Sequence, residues 1–145
     1  MLAVTLFPAC GDDGPDLPEG WEEATAIFDF TQSACAGDPL TDDVVQNVEG
    51  QALSGSVRFT WSHITFRCDQ AVQGYVRRGE GVADVLVQPL DLEPDDIARC
   101  NCLYNLDMAF NTPSGPTDIG FWRRPDVLDG PNPPVQVLSI STDVP

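Results

Sequence analysis

Lysine is absent from the 145 residues, and histidine occurs once. Every basic residue is therefore an arginine, seven in all, set against 23 acidic residues for a formal net charge of -16. Such a field repels phosphate backbones and anionic headgroups, which excludes nucleic acid as a partner. A Ser or Cys triad would have to take His63 as its base, and no G-x-S-x-G elbow accompanies that residue. A Gly-rich phosphate loop and the spaced D-x-D-x-D-G calcium loop are missing too. No apolar run approaches the ~20 residues that a membrane-spanning helix needs. Catalysis and a bound cofactor are accordingly not expected. The acidic pairs Asp12/Asp13, Asp42/Asp43 and Asp95/Asp96 read as solvated loop acids.

What remains is a period-two pattern. The length suits one domain, and no internal repeat interrupts it. "ATAIFDFT" sets Ala24, Ala26, Phe28 and Phe30 on one face of a strand, while "VVQNVEGQAL" fits either a weak strand or a short helix. In "GSVRFTWSHITFRC" the residues Val57, Phe59 and Trp61 alternate inward, but beyond Ser62 the apolar set moves to Ile64, Phe66 and Cys68. A one-residue slip predicts a bulge or tight bend at Ser62 and His63. "AVQGYVRR" and "VADVLVQPL" flank "GEG" as a hairpin. In "ARCNCLYNLDMAF" the residues Cys100, Cys102, Tyr104, Leu106, Met108 and Phe110 share one face. A short strand "DIGFW", a Pro-rich loop and a last strand "VQVLSIS" follow. Six to eight short strands with turns between them predict an all-β protein, a single antiparallel β-sandwich over residues 21–145.

Apart from Cys10, the cysteines are Cys35, Cys68, Cys100 and Cys102. Four cysteines allow three pairings. A direct Cys100–Cys102 bond is the least favourable, because residues i and i+2 of a strand lie about 6.5–7 Å apart at Cα, near the upper limit for a disulfide. The expectation is two disulfide staples, one joining Cys68 to a member of the C-x-C pair and one joining Cys35 to the other. The alternative is a metal site made of His63, Cys68, Cys100 and Cys102, a three-sulfur, one-nitrogen set suited to zinc. The H-x4-C and C-x-C spacings match no zinc-finger pattern, and a redox pair of the thioredoxin kind would use C-x-x-C at a helix N-terminus.

The first residues, "MLAVTLFPACGDDGPDLPEG", run from an apolar stretch to a small residue and Cys10, then to Gly, Asp, Pro and Glu. This resembles the end of a bacterial lipoprotein signal, and "ACGDDG" resembles lipoproteins of myxobacteria. Phe7 and Pro8 stand where Leu and a small residue are usual. An upstream start would account for the short apolar segment. "FTWSHITFRC" and "ARCNCLYNLDMAF" further resemble small secreted lipoproteins of Bacteroidetes and myxobacteria, in which a strand with His and Cys precedes a strand with C-x-C and Tyr. Asn105 occupies the place where that group usually has Asp, and Asp69 replaces a second Cys. The resemblance implies secretion and fold but no reaction. On it, residues 1–9 are a signal remnant, Cys10 carries the lipid, residues 10–20 form an acidic tether, and the address is the cell envelope as an outer-membrane lipoprotein. The membrane would then be met only through that anchor.

One segment combines aromatic and basic residues. In "GFWRRPD", Phe121, Trp122, Arg123 and Arg124 stand at the start of the Pro-rich loop. They are the expected place to seat a protein or glycan partner. The competing expectation is that the arginines pair with loop acids such as Asp126.

Overall fold

The computed structural model of the protein describes residues 15–130 and 132–145. The segment 1–9, Cys10 and residues 11–14 lie outside the described residues. In chain order the strands are β1 (Thr25–Ala26), β2 (Asp29–Gln32), β3 (Asn47–Leu53), β4 (Ser56–Arg67), β5 (Val72–Gly79), β6 (Val82–Pro89), β7 (Asn101–Asn111), β8 (Gly115–Arg123) and β9 (Val135–Val144), with a 3-10 turn at Val127–Asp129. One sheet has the order β1-β5-β6-β8-β9 and the other β2-β7-β4-β3. Packed on each other they form the expected β-sandwich. The ambiguous "VVQNVEGQAL" supplies β3, an edge strand paired only with β4.

All but one of the pairings are antiparallel; β6 and β8 run parallel. Connectivity is the reason. The chain leaves β6 for the opposite sheet, runs back as β7 and recrosses to β8, so two reversals restore the original direction.

The interior is closed by residues that alternate along the long strands. Trp61, Phe66, Ile64, Leu106, Met108, Val85, Val87, Ile119 and Phe121 are fully buried. The Phe121 ring meets Trp61 edge-on at 5.3 Å and Phe59 at 5.5 Å. Each such side chain contributes about 1.5–3 kcal/mol through burial.

The predicted bulge is present. Trp61 lies opposite Leu106 and Ile64 opposite Tyr104, so Ser62 and His63 together face the single residue Asn105. His63 takes φ 63°, in the left-handed region, and both Trp61 and Ile64 point inward as a result. The "GEG" hairpin is also as expected, with Gly79 paired to Val82 and Gly81 at φ 68°.

Two expectations need correction. Ala24 to Phe30 are not one strand with a common face: Ala26 pairs with Tyr75 in one sheet, Asp29 pairs with Ala109 in the other, and Phe28 at the crossing is 99% exposed while Ile27 is buried. A chain that changes sheets cannot keep the alternation of a single strand. Cys100 is exposed rather than inward, because it precedes β7. Residues 15–20, the described part of the expected tether, touch the domain at two points. Pro18 is buried, and the Asp16 carbonyl accepts hydrogen bonds from Arg124 Nη1 at 2.7 Å and Gln88 Nε2 at 3.0 Å.

The strand directions define two ends. Arg67, Asn101, Val72 and Pro89 lie at one, with the cysteines; Ser56, Asn111, Gly79 and Val82 lie at the other, with the hairpin turns. The described N-terminal residues begin at the cysteine end, against Gln88 and Arg124.

Candidate functional site

At the cysteine end the structure contains two disulfides, Cys35–Cys102 and Cys68–Cys100, with Cα separations of 5.4 Å and 5.5 Å. This is one of the two pairings the sequence left open. Cys102 sits one register step further in than Cys100, opposite Phe66, while the Cys68 amide donates to the Cys100 carbonyl at 2.9 Å. The segment carrying Cys35 runs beside β7, extending the edge that β2 begins: the Ala36 amide donates to the Leu103 carbonyl, and the Leu103 amide to the Gly37 carbonyl. Leu103 is buried but outside the main core cluster. The two disulfides touch, Cys68 Sγ lying 3.0 Å from Cys102 Sγ. Two disulfides point to an oxidising compartment outside the cytoplasm. No helix among the described residues is long and apolar enough to cross a membrane.

Beside the disulfides a buried ion pair ties the Pro-rich loop to β4. Asp126, with a fully buried side chain, accepts from Arg67 Nε at 2.6 Å, Arg67 Nη2 at 3.2 Å, Gln70 Nε2 at 3.0 Å and the Leu128 amide at 3.0 Å. Burial alone would raise its pKa, but the hydrogen bonds from Arg67 and Gln70 and the Arg67 charge hold the carboxyl below its ordinary value. Tyr104 Oη donates to the Arg67 carbonyl at 2.9 Å, and burial raises its phenol.

His63 lies elsewhere. Its Nδ1 is 3.2 Å from the Val45 carbonyl oxygen, and its amide donates to Asn105 Oδ1 at 3.2 Å. Cys68 is five residues further along the chain, roughly 16 Å at 3.3 Å per residue. The set His63, Cys68, Cys100 and Cys102 is therefore not brought together. Among the described residues no group of three or more His, Cys, Asp or Glu side chains is placed to hold a metal ion.

The segment Phe121 to Arg124 is occupied by the protein itself. Phe121 is core. Trp122 meets Trp21 edge-on at 5.8 Å and donates from Nε1 to Asp84 Oδ1 at 3.2 Å. Arg77 lies over the Trp21 ring at 3.9 Å and pairs with Asp84 at 2.9 Å. Arg123 crosses Phe66 at 4.8 Å and donates to the Thr65 carbonyl at 2.8 Å. Arg124 is buried among Asn132, Gln88 and the Asp16 carbonyl, and burial lowers its pKa against the opposing Asp16 charge. The N-terminal residues Leu17 to Trp21 thus cover the face on which the sequence placed a partner.

A different surface is open. At the hairpin end a cleft of about 530 Å³ runs between β1 and β2 on one side and β4, β5 and β7 on the other. Val57, Val76 and Phe110 form its apolar floor. On the rim stand Phe28, Arg58 and Arg78. Arg58 pairs with Asp29 at 2.6 Å through side chains that are both half exposed, and Arg78 donates to the Asn111 carbonyl at 2.9 Å. Two of the seven arginines are therefore gathered beside the most exposed aromatic ring of the described residues. Local sequence carries no sign of this, since the cleft joins residues from six strands.

Compared with known proteins, the chain matches no family model, no curated protein and no solved structure.

Proposed function

We propose that the protein is a lipid-anchored, extracytoplasmic binding module that works without catalysis and takes its partner in the cleft at the hairpin end. The observation that carries this reading is Phe28, an aromatic ring 99% exposed at the mouth of an apolar cleft and flanked by Arg58 and Arg78. An exposed ring held on a strand crossing adds nothing to folding. Buried by a partner, it would contribute about 1.5–3 kcal/mol, roughly ten- to a hundredfold in affinity. The guanidinium groups select the partner's sign. An acidic protein segment with an apolar side chain next to a carboxylate suits the floor and the rim together.

The anchor reading rests on Cys10 and on the resemblance to outer-membrane lipoprotein signals. The position of Asp16 at the cysteine end, opposite the cleft, supports this reading. Labelling of the full chain with an alkynyl fatty acid tests the anchor. Label that survives Cys10→Ser would end it.

Binding is tested with arrayed acidic peptides and, in parallel, anionic oligosaccharides. The expected result is capture of acidic peptides, weakened at least tenfold by Phe28→Ser with an unchanged melting curve. Unchanged affinity of the variant, or capture of the oligosaccharides alone, would overturn the assignment.

A further inference from the structure

We propose that the four cysteines form a thiol–disulfide relay, in which attack on the outer sulfur of one disulfide frees the outer sulfur of the other. Their placement carries the argument. Cys35 and Cys100 are exposed, Cys68 is half buried, and Cys102 is buried. The sulfurs therefore run in the order Cys35–Cys102···Cys68–Cys100, with the two inner atoms unbonded to each other and 3.0 Å apart. That separation is direct contact, so either inner sulfur, once freed as a thiolate, has the other disulfide as its nearest electrophile. The outer cysteines are the more exposed members of each disulfide, so an external thiol meets the two ends of the series first.

The steps balance. A small-molecule thiolate of the glutathione class attacks Cys35 Sγ, forms a mixed disulfide there and expels Cys102 as a thiolate. Cys102 Sγ then attacks Cys68 Sγ; the Cys68–Cys102 bond forms, the Cys68–Cys100 bond breaks, and its electron pair leaves on Cys100. One thiolate has entered and one has left, with no net oxidation. Attack at Cys100 runs the series backwards and frees Cys35.

Two further features favour the exchange. Cys68 lies just beyond the end of β4, before Asp69 at φ 61°, and Cys100 lies just before β7, so both members of the second disulfide sit at strand ends where little ladder must move. Arg99, next to Cys100 in sequence, is exposed and has no ion pair or side-chain hydrogen bond among the described residues. A neighbouring guanidinium stabilises a departing thiolate, and a stabilised thiolate leaves faster.

The test uses the full chain with Cys10→Ser, so that no other thiol competes. After a brief pulse of reduced glutathione and an acid quench, denaturing alkylation and peptide mapping locate the thiols. The expected products carry glutathione on one outer cysteine, a free thiol on the other, and a Cys68–Cys102 linked peptide. Glutathione on Cys35 with the free thiol on Cys102, or on Cys100 with the free thiol on Cys68, would overturn the relay. A second measurement needs no reductant. In Cys35→Ser, label should divide between Cys102 and Cys100; label confined to Cys102 would also overturn it. Cys35→Ser with Cys102→Ser reports whether the sandwich persists without the first disulfide.

Discussion

The backbone amide of His63 is satisfied by the side chain of Asn105, the residue that faces the bulge from the adjacent strand, at 3.2 Å. A bulge leaves one residue out of the ladder, and a partly buried N–H without a partner costs about 1–3 kcal/mol. Asn105→Ala should therefore lower stability by that amount in urea titrations. Asn105→Asp keeps the acceptor oxygen and should cost less than half as much. Equal losses would mean that the amide group, and not its oxygen, is what the bulge requires.

The Arg67–Asp126 pair should give the fold an acid limit. Because the folded carboxyl is held below its ordinary value of 3.8, the unfolded chain takes up the proton first as pH falls. The stabilisation is complete above the unfolded value and is lost as pH drops through the folded one. Asp126→Asn should flatten the stability profile below about pH 4. At neutral pH it should cost about 3 kcal/mol, because the Arg67 charge is left largely buried without its partner. Denaturant midpoints across pH measure both.

Trp122→Ala should act on stability and leave binding alone. The ring is half buried against Trp21 and Asp84, so a loss of about 2 kcal/mol is expected, below the 3–5 kcal/mol of a fully buried tryptophan. Peptide affinity should stay within twofold. A tenfold loss would return the partner site to this face.

Each disulfide closes a long loop, of sequence separation 67 and 32. Chain entropy assigns about 4 kcal/mol to each, and less than the sum to both because one loop is nested in the other. Reduction should thus shift the denaturant midpoint strongly while leaving the strand signal in circular dichroism. Collapse of that signal on reduction at 25 °C would mean that the apolar core alone cannot hold the sandwich.

Local pattern proved a good guide wherever neighbours in sequence are neighbours in the fold. The slip from Trp61 to Ile64 announced the bulge, and "GEG" announced its hairpin. The alternation from Cys102 to Phe110 announced β7. It misled wherever the deciding contact was distant. Phe28 alternates with Phe30, yet nothing in "ATAIFDFT" shows that the strand divides between two sheets. Trp122 and Arg124 read either as a partner seat or as a segment paired with nearby loop acids, because the residues they actually contact, Asp16 and Trp21, lie about a hundred residues earlier. The parallel junction of β6 and β8 was hidden for a similar reason, since a strand's direction depends on the crossings before it.

The opposition of the two ends also has a mechanical meaning. A load applied between the segment at Asp16 and a partner held at Phe28 would run along the strands, not across them. Ladders pulled along their length share the force among all their hydrogen bonds, whereas ladders peeled from one side fail one bond at a time. Resistance to forced unfolding is set by the unfolding rate. The Cys35–Cys102 and Cys68–Cys100 cross-links fasten the strand ends on the side where Asp16 lies. On the proposed reading, tension between an anchor on Cys10 and a partner at Phe28 would be carried lengthwise by the strands of both sheets.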